Sequence, residues 1–200
     1  MNYPETIRNL IECFKKLPGI GEKTAERLAL SILDMDEEIV ELYASSLKNV
    51  KKKIMRCKEC NGLSEEDLCQ ICKNDSRNKD VICVVEEVKD IVSIEKTGTY
   101  TGVYHVLDGL ISPLDGINPE DININNLIKR VKENDVKEII LAITPSIEGE
   151  TTSLYISKKL LDTDVIVSKI AHGVPMGADM EYIDSLTLGQ ALKDRTTLNN

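Results

Sequence analysis

The chain has no tryptophan, a single phenylalanine at Phe14, two histidines, and no apolar run approaching the roughly 18 residues that cross a bilayer. Without such a run no membrane partner is expected. The N-terminus, MNYPETIRNL, lacks a basic stretch followed by an apolar one, so no secretory leader is expected either and the location implied is cytoplasmic. His105 and His172 are too few and too far apart to suggest a catalytic triad or a histidine metal site, and each is expected to be structural. Neither a Walker-type phosphate loop nor a dinucleotide fingerprint occurs, which argues against a nucleotide-driven engine, and no nucleophile stands beside a base. A disulfide framework is missing too. Of six cysteines four lie in one short stretch, while Cys13 and Cys83 sit inside apolar patterns, a usage that suits a reducing cytosol.

What is present suits one or two small folded domains: 200 residues, 42% hydrophobic and 30% charged. The stretch that stands out is CKECNGLSEEDLCQIC, from Cys57 to Cys72. Its two Cys-x2-Cys pairs are separated by eight residues, a spacing at which Cys57, Cys60, Cys69 and Cys72 can close a tetrahedral four-sulfur shell around one zinc ion per subunit. Between the pairs only Leu63 and Leu68 are bulky and apolar, so metal binding, on the order of 10 kcal/mol or more, has to order the segment. A redox Cys-x2-Cys or unrelated thiols would be the alternative, but two pairs so close together are more specific than one.

The net charge of −9 speaks against a nucleic-acid partner until its distribution is considered. Up to Arg56 there are ten basic against nine acidic residues; from Cys57 onward fifteen face twenty-five. Only the N-terminal part is suited to meet a polyanion. There Ile7, Leu10, Ile11, Phe14 and Leu17 recur at helical spacing, Pro18-Gly19-Ile20-Gly21 interrupts, and Ala25, Leu28, Ala29, Ile32 and Leu33 form a second stripe. This is the pattern of a helix-hairpin-helix, whose turn and second-helix amides can hold a DNA phosphate at Gly19 and Gly21 without reading a base. Lys23 and Arg27, four apart, would hold neighbouring phosphates, with Lys15 and Lys16 beside the turn. An ordinary helical hairpin with a solvated charged face would share the periodicity, though not the bracketed LPGIGEKTAERLAL. A third helix is expected from Glu37 to Met55. It ends in Lys48, Lys51, Lys52, Lys53 and Arg56, which read equally well as a solvated face or as more phosphate-contacting surface.

Beyond the four cysteines, short apolar runs alternate with helical stretches. Strands are expected at 81–85, 103–107, 139–143 and 165–170, and helices near 88–96, 121–134 and 151–162. The alternation predicts a mostly parallel sheet covered by helices, so the chain as a whole is a multi-part α+β protein with a helical domain at 1–56, a four-cysteine zinc finger at 57–72 and an α/β domain at 80–175. Acids follow the strand ends, where ligands of such sheets gather: Glu86 after the first, Glu148 and Glu150 after the third. Convergent carboxylates could hold magnesium against a phosphodiester; a polar loop capping the next helix would look the same.

This order of hairpin, zinc finger and acidic α/β domain resembles the bacterial RecR recombination family over nearly the whole chain. The α/β part resembles a Toprim domain, with VYHVLDGLISPLDGINPED, TPSIEGETTSLYI and AHGVPMGADMEYIDSLTLGQAL as signature stretches. Asn118 and Ala178 depart from the pattern, at places where glycine is expected. The resemblance implies a ring-forming, sequence-independent DNA clamp, not an enzyme, assembled from homodimers into a homotetramer by N-terminal regions and a C-terminal tail at 176–200. It implies work on double-stranded and gapped DNA in the nucleoid, with RecF-like and RecO-like partners, in RecBC-independent recombinational repair and recombinase loading. The acids Glu86, Glu148 and Glu150 would then meet a basic partner protein. A magnesium-dependent Toprim-type enzyme that cuts or rejoins DNA is the other implied class. Catalytic Toprim domains pair a Glu with an Asp-x-Asp motif, whereas this chain has Glu148-Gly149-Glu150 there.

Overall fold

The structure, a computed structural model, describes residues 3–171, 173–175 and 177–196, and falls into two compact units, Met1–Ile54 and Met55–Asn200. His172 lies outside the described residues.

The N-terminal unit consists of α1 (Glu5–Lys15), α2 (Glu22–Ser31) and α3 (Glu37–Lys53). Ile11 of α1 is buried against Ala25 and Ala29 of α2, with Ile7, Leu10, Phe14 and Ile20 around them. Two alanines at the contact let the helices approach closely, which is what brings the intervening turn into a fixed shape. Gly19 has φ of 79°, a conformation that disfavours a side chain. In α3 no residue is buried. Ile39, Leu42, Tyr43, Leu47 and Val50 are all exposed, Leu47 at 73%, so its apolar side has no cover among the described residues of its own unit.

The larger unit opens with a two-stranded ribbon, β1 (Met55–Arg56) paired antiparallel to β2 (Leu63–Ser64), followed by the one-turn helix α4 (Gln70–Lys73). A four-stranded sheet follows, built from β3 (Asn78–Val85), β4 (Gly102–Val106), β5 (Glu138–Ala142) and β6 (Ile166–Lys169) in the order β4-β3-β5-β6, every pairing parallel. The connections carry α5 (Val88–Glu95), α6 (Ile124–Glu133) and α7 (Ile147–Lys159), and α8 (Ser185–Lys193) follows.

Strand residues alternate between two cores, as the pleat requires. Ile82, Val84, Val103, Ile139 and Leu141 face one side with Leu127 and Val131 of α6 and Ile156 of α7; Cys83, Val85, Tyr104 and Val106 face the other with Ile91 of α5. Burial of both faces explains why the runs read as continuously apolar. Because the chain steps from β3 outward to β4 and then back to β5 on the opposite side, the direction of winding reverses between β3 and β5, which makes their carboxyl ends the natural place for a ligand.

No helix among the described residues is long and apolar enough to cross a membrane. Neither Asn118 nor Ala178 has a positive φ, so the backbone there does not demand glycine.

Candidate metal centre and nucleic-acid interface

The four cysteines of the knuckle come together. Their sulfurs lie within 4.8 Å of one another, and all four residues are buried or nearly so, with Leu68 and Ile71 packed against them. Each Cys-x2-Cys turn is closed locally: the Asn61 amide donates to the Cys57 carbonyl at 2.9 Å, and the Cys72 amide donates to Cys69 Sγ at 3.5 Å. Further backbone amides point at sulfur, Gly62 at Cys60 and Cys69 at Cys57, both at 3.3 Å, an arrangement that favours thiolates. Crowding also splits the thiols. Hydrogen bonds from Cys60 and then Cys72 hold Cys69 far below the ordinary thiol range, while Cys69 pushes Cys60 up to about 12 and Cys60 pushes Cys72 up. Four thiolates at this separation require a cation, and an all-sulfur tetrahedral set suits zinc.

The knuckle is fastened to the sheet in a way that its own sequence did not announce. The Val106 amide, at the end of edge strand β4, donates to the Cys60 carbonyl at 2.8 Å, and Asn61 Nδ2 donates to the Val106 carbonyl at 3.1 Å. The metal loop therefore closes part of a sheet edge. Asn61 adopts φ of 61°, a left-handed conformation that asparagine tolerates, to make this reach. From α6, Arg130 is 7% exposed and donates to the Tyr104 carbonyl at 2.7 Å and to Glu59 at 2.9 Å. Arg56 pairs with both carboxylate oxygens of Asp108 at 2.7 Å. Of the basic cluster that reads equally well as a solvated face or as phosphate-contacting surface, Arg56 is thus paired with an acid of its own unit. Arg130 occurs beside the apolar stripe of Leu127 and Val131, and an arginine in that position was the signal available.

In the hairpin, the Ala25 amide donates to the Gly21 carbonyl at 2.9 Å and no side chain caps α2. The amides of Glu22, Lys23 and Thr24 thus precede the first intrahelical bond and are the free donors of the first turn. A Cβ on Gly21 would meet nothing within 4 Å, and its φ of −85° suits any residue. Neither strain nor packing requires glycine at this N-cap, and the bare backbone leaves room for close approach of a phosphate. Lys16, Lys23 and Arg27 form no ion pair among the described residues. Lys15 differs: its Nζ lies 2.8 Å from Glu12 and 2.6 Å from Glu22, and these bonds, Glu12's foremost, raise its pKa well above the lysine range.

The acids at the strand ends do not converge as the magnesium-holding arrangement requires. Glu86 accepts a hydrogen bond from Thr144 Oγ1 at 2.8 Å across the β3–β5 switch point, while Glu150 pairs with Lys169 at 2.9 Å. Glu148 and Glu150 lie in the first turn of α7, which starts at Ile147 and not near Thr151. Two residues apart on a helix, they point to different sides. Among the described residues the four cysteines form the one set of three or more ligating groups within reach of a common ion.

His105 is fully buried. Its Nε2–H donates to the Asn123 carbonyl at 2.9 Å, Nδ1 has no partner among the described residues, and burial lowers its pKa to about 4.

Comparison with known proteins covers the chain from end to end. Residues 7–51 match the RecR helix-hairpin-helix model, 54–74 the RecR four-cysteine zinc finger domain, 80–171 the Toprim domain and 173–196 the RecR C-terminal model. The curated "Recombination protein RecR" of Staphylococcus saprophyticus is 50% identical over 198 residues, spanning 99% of this chain and all of that protein.

Proposed function

Since the chain belongs to the RecR family of recombination proteins, we propose that it serves recombinational repair as a non-catalytic, sequence-independent DNA clamp that works with RecF-like and RecO-like partners. The observation that carries this reading is the hairpin turn. Free amides stand at the start of α2, a Cβ at its N-cap Gly21 would meet nothing within 4 Å, and Lys23 and Arg27, one turn apart, form no ion pair among the described residues. Such a site holds phosphate and reads no base, so it grips any sequence.

Ring assembly accounts for the surfaces that one chain leaves uncovered. The apolar side of α3 and, near the C-terminus, Met180, Tyr182, Leu186 and Leu192 are exposed to an extent that solvated helices do not sustain. A tetramer built through the N-terminal regions and the tail would cover both and face the N-terminal basic residues toward enclosed DNA. The acids Glu86, Glu148 and Glu150 then remain for a basic partner of the RecO type. Against the magnesium-dependent enzyme stands the dispersal of those same acids, two of them already held by Thr144 and Lys169.

Fluorescence anisotropy with unrelated duplexes tests the clamp reading. Lys23→Ala and Arg27→Ala should each weaken binding to all sequences alike and reduce the salt slope by about 0.9 for every phosphate no longer neutralised. Unchanged affinity and slope in both variants would make the hairpin a packing element.

A further inference from the structure

The unit that carries the hairpin is poorly charged for its work. Between Met1 and Ile54 the chain has nine basic and nine acidic residues, so the surface offered to a polyanion is formally neutral. Two of those acids engage a lysine beside the hairpin turn. Glu22 is the first residue of α2, directly after Gly21, and its carboxylate reaches Lys15 Nζ at 2.6 Å; Glu12, one turn before Lys15 on α1, reaches the same nitrogen at 2.8 Å. A carboxylate at the start of a helix complements the helix dipole much as a phosphate would. Meanwhile Lys15, the last residue of α1, is shared between two carboxylates, and Lys16, Lys23 and Arg27 form no such pair among the described residues.

We propose that Glu22 and Glu12 set the strength of DNA binding by sequestering Lys15, so that phosphate must displace a carboxylate of the chain before that lysine can take part. This rests on the hairpin being the DNA site. As exposed pairs these ionic bonds contribute little to folding. Their consequence falls on binding: Lys15 releases no counterion while it is held. A chain tuned in this way grips DNA weakly through each hairpin and relies on several hairpins acting together.

The test is anisotropy on the full chain with one duplex of arbitrary sequence between about 50 and 200 mM salt, the range over which a single phosphate contact changes affinity roughly 3-fold. Glu22→Gln should bind about 3- to 8-fold more tightly near 0.1 M salt, with a slope steeper by about 0.9. Glu12→Gln, on a different helix and so independent of any effect on α2, should strengthen binding in the same direction by less. Adding Lys15→Ala to either variant should abolish the gain. Retention of the full gain in the Lys15→Ala background would overturn the proposal, as would unchanged affinity in both glutamine variants while Lys23→Ala and Arg27→Ala still weaken binding. Were all four insensitive, the hairpin reading itself would fall along with the inference.

Discussion

Replacing Arg130 with methionine removes one charge from the junction between the zinc knuckle and the sheet while keeping most of the side chain's volume. Arg130 is 7% exposed and makes two charge-assisted bonds, to the Tyr104 carbonyl and to Glu59. Loss of a hydrogen bond from a charged donor costs about 1.5–3 kcal/mol, and breaking a fully buried ion pair about 3–5. Glu59 is 35% exposed and can rehydrate when its partner goes, so the lower end applies to the pair, while the Tyr104 carbonyl is left buried without that donor. The expected loss is therefore about 2–3 kcal/mol, or roughly 5–10 °C in the melting temperature of a domain this size. Because Glu59 adjoins Cys60, a chelator should also strip zinc faster from the variant. Thermal melts of the parent, Arg130→Met, Glu59→Gln and the double variant complete the cycle, with a coupling of about 1 kcal/mol expected between the two positions. A variant within about 0.5 kcal/mol of the parent, with zinc release unchanged, would refute the view that this pair fastens the knuckle.

Elemental analysis should give one zinc per chain; serine at Cys57, Cys60, Cys69 or Cys72 should abolish stoichiometric zinc and destabilise the protein, whereas serine at Cys13 or Cys83 should leave the metal in place. His105 should make the fold acid-sensitive. Its folded pKa of about 4 lies below the unfolded value near 6.5, so the unfolded state takes up the proton first and stability falls as pH drops through that window, by up to about 3 kcal/mol. Denaturant melts at pH 4 and 7 should show a smaller pH-dependent loss in His105→Gln than in the parent; equal losses would assign the sensitivity to other groups.

The parts legible in the sequence are those written in local pattern. Four cysteines at fixed spacing imply an ion, and the apolar runs at Ile82–Val85 and Ile139–Leu141 imply strands buried on both faces. What escaped depends on long-range partners. Arg130 meets Glu59 across 71 residues, and Arg56 meets Asp108 across 52, so neither pairing follows from neighbours in the chain. The start of α7 escaped for a different reason. Pro145, Ser146 and Gly149 look like a loop, yet the Ser146 hydroxyl caps the helix by accepting from the Gly149 amide at 3.0 Å. Glycine stands at 149 because a Cβ would come within 2.0 Å of the Thr144 carbonyl oxygen, a matter of close packing and not of turning. Carrying Glu148 and Glu150 into that helix disperses the acids that a loop could have gathered.

A native mass of the full chain, taken with and without a circular duplex, bears most directly on the clamp. A tetramer with one zinc per subunit is expected on the circle and should come free when the circle is cut. A monomer under both conditions, or binding indifferent to whether the DNA has ends, would contradict it.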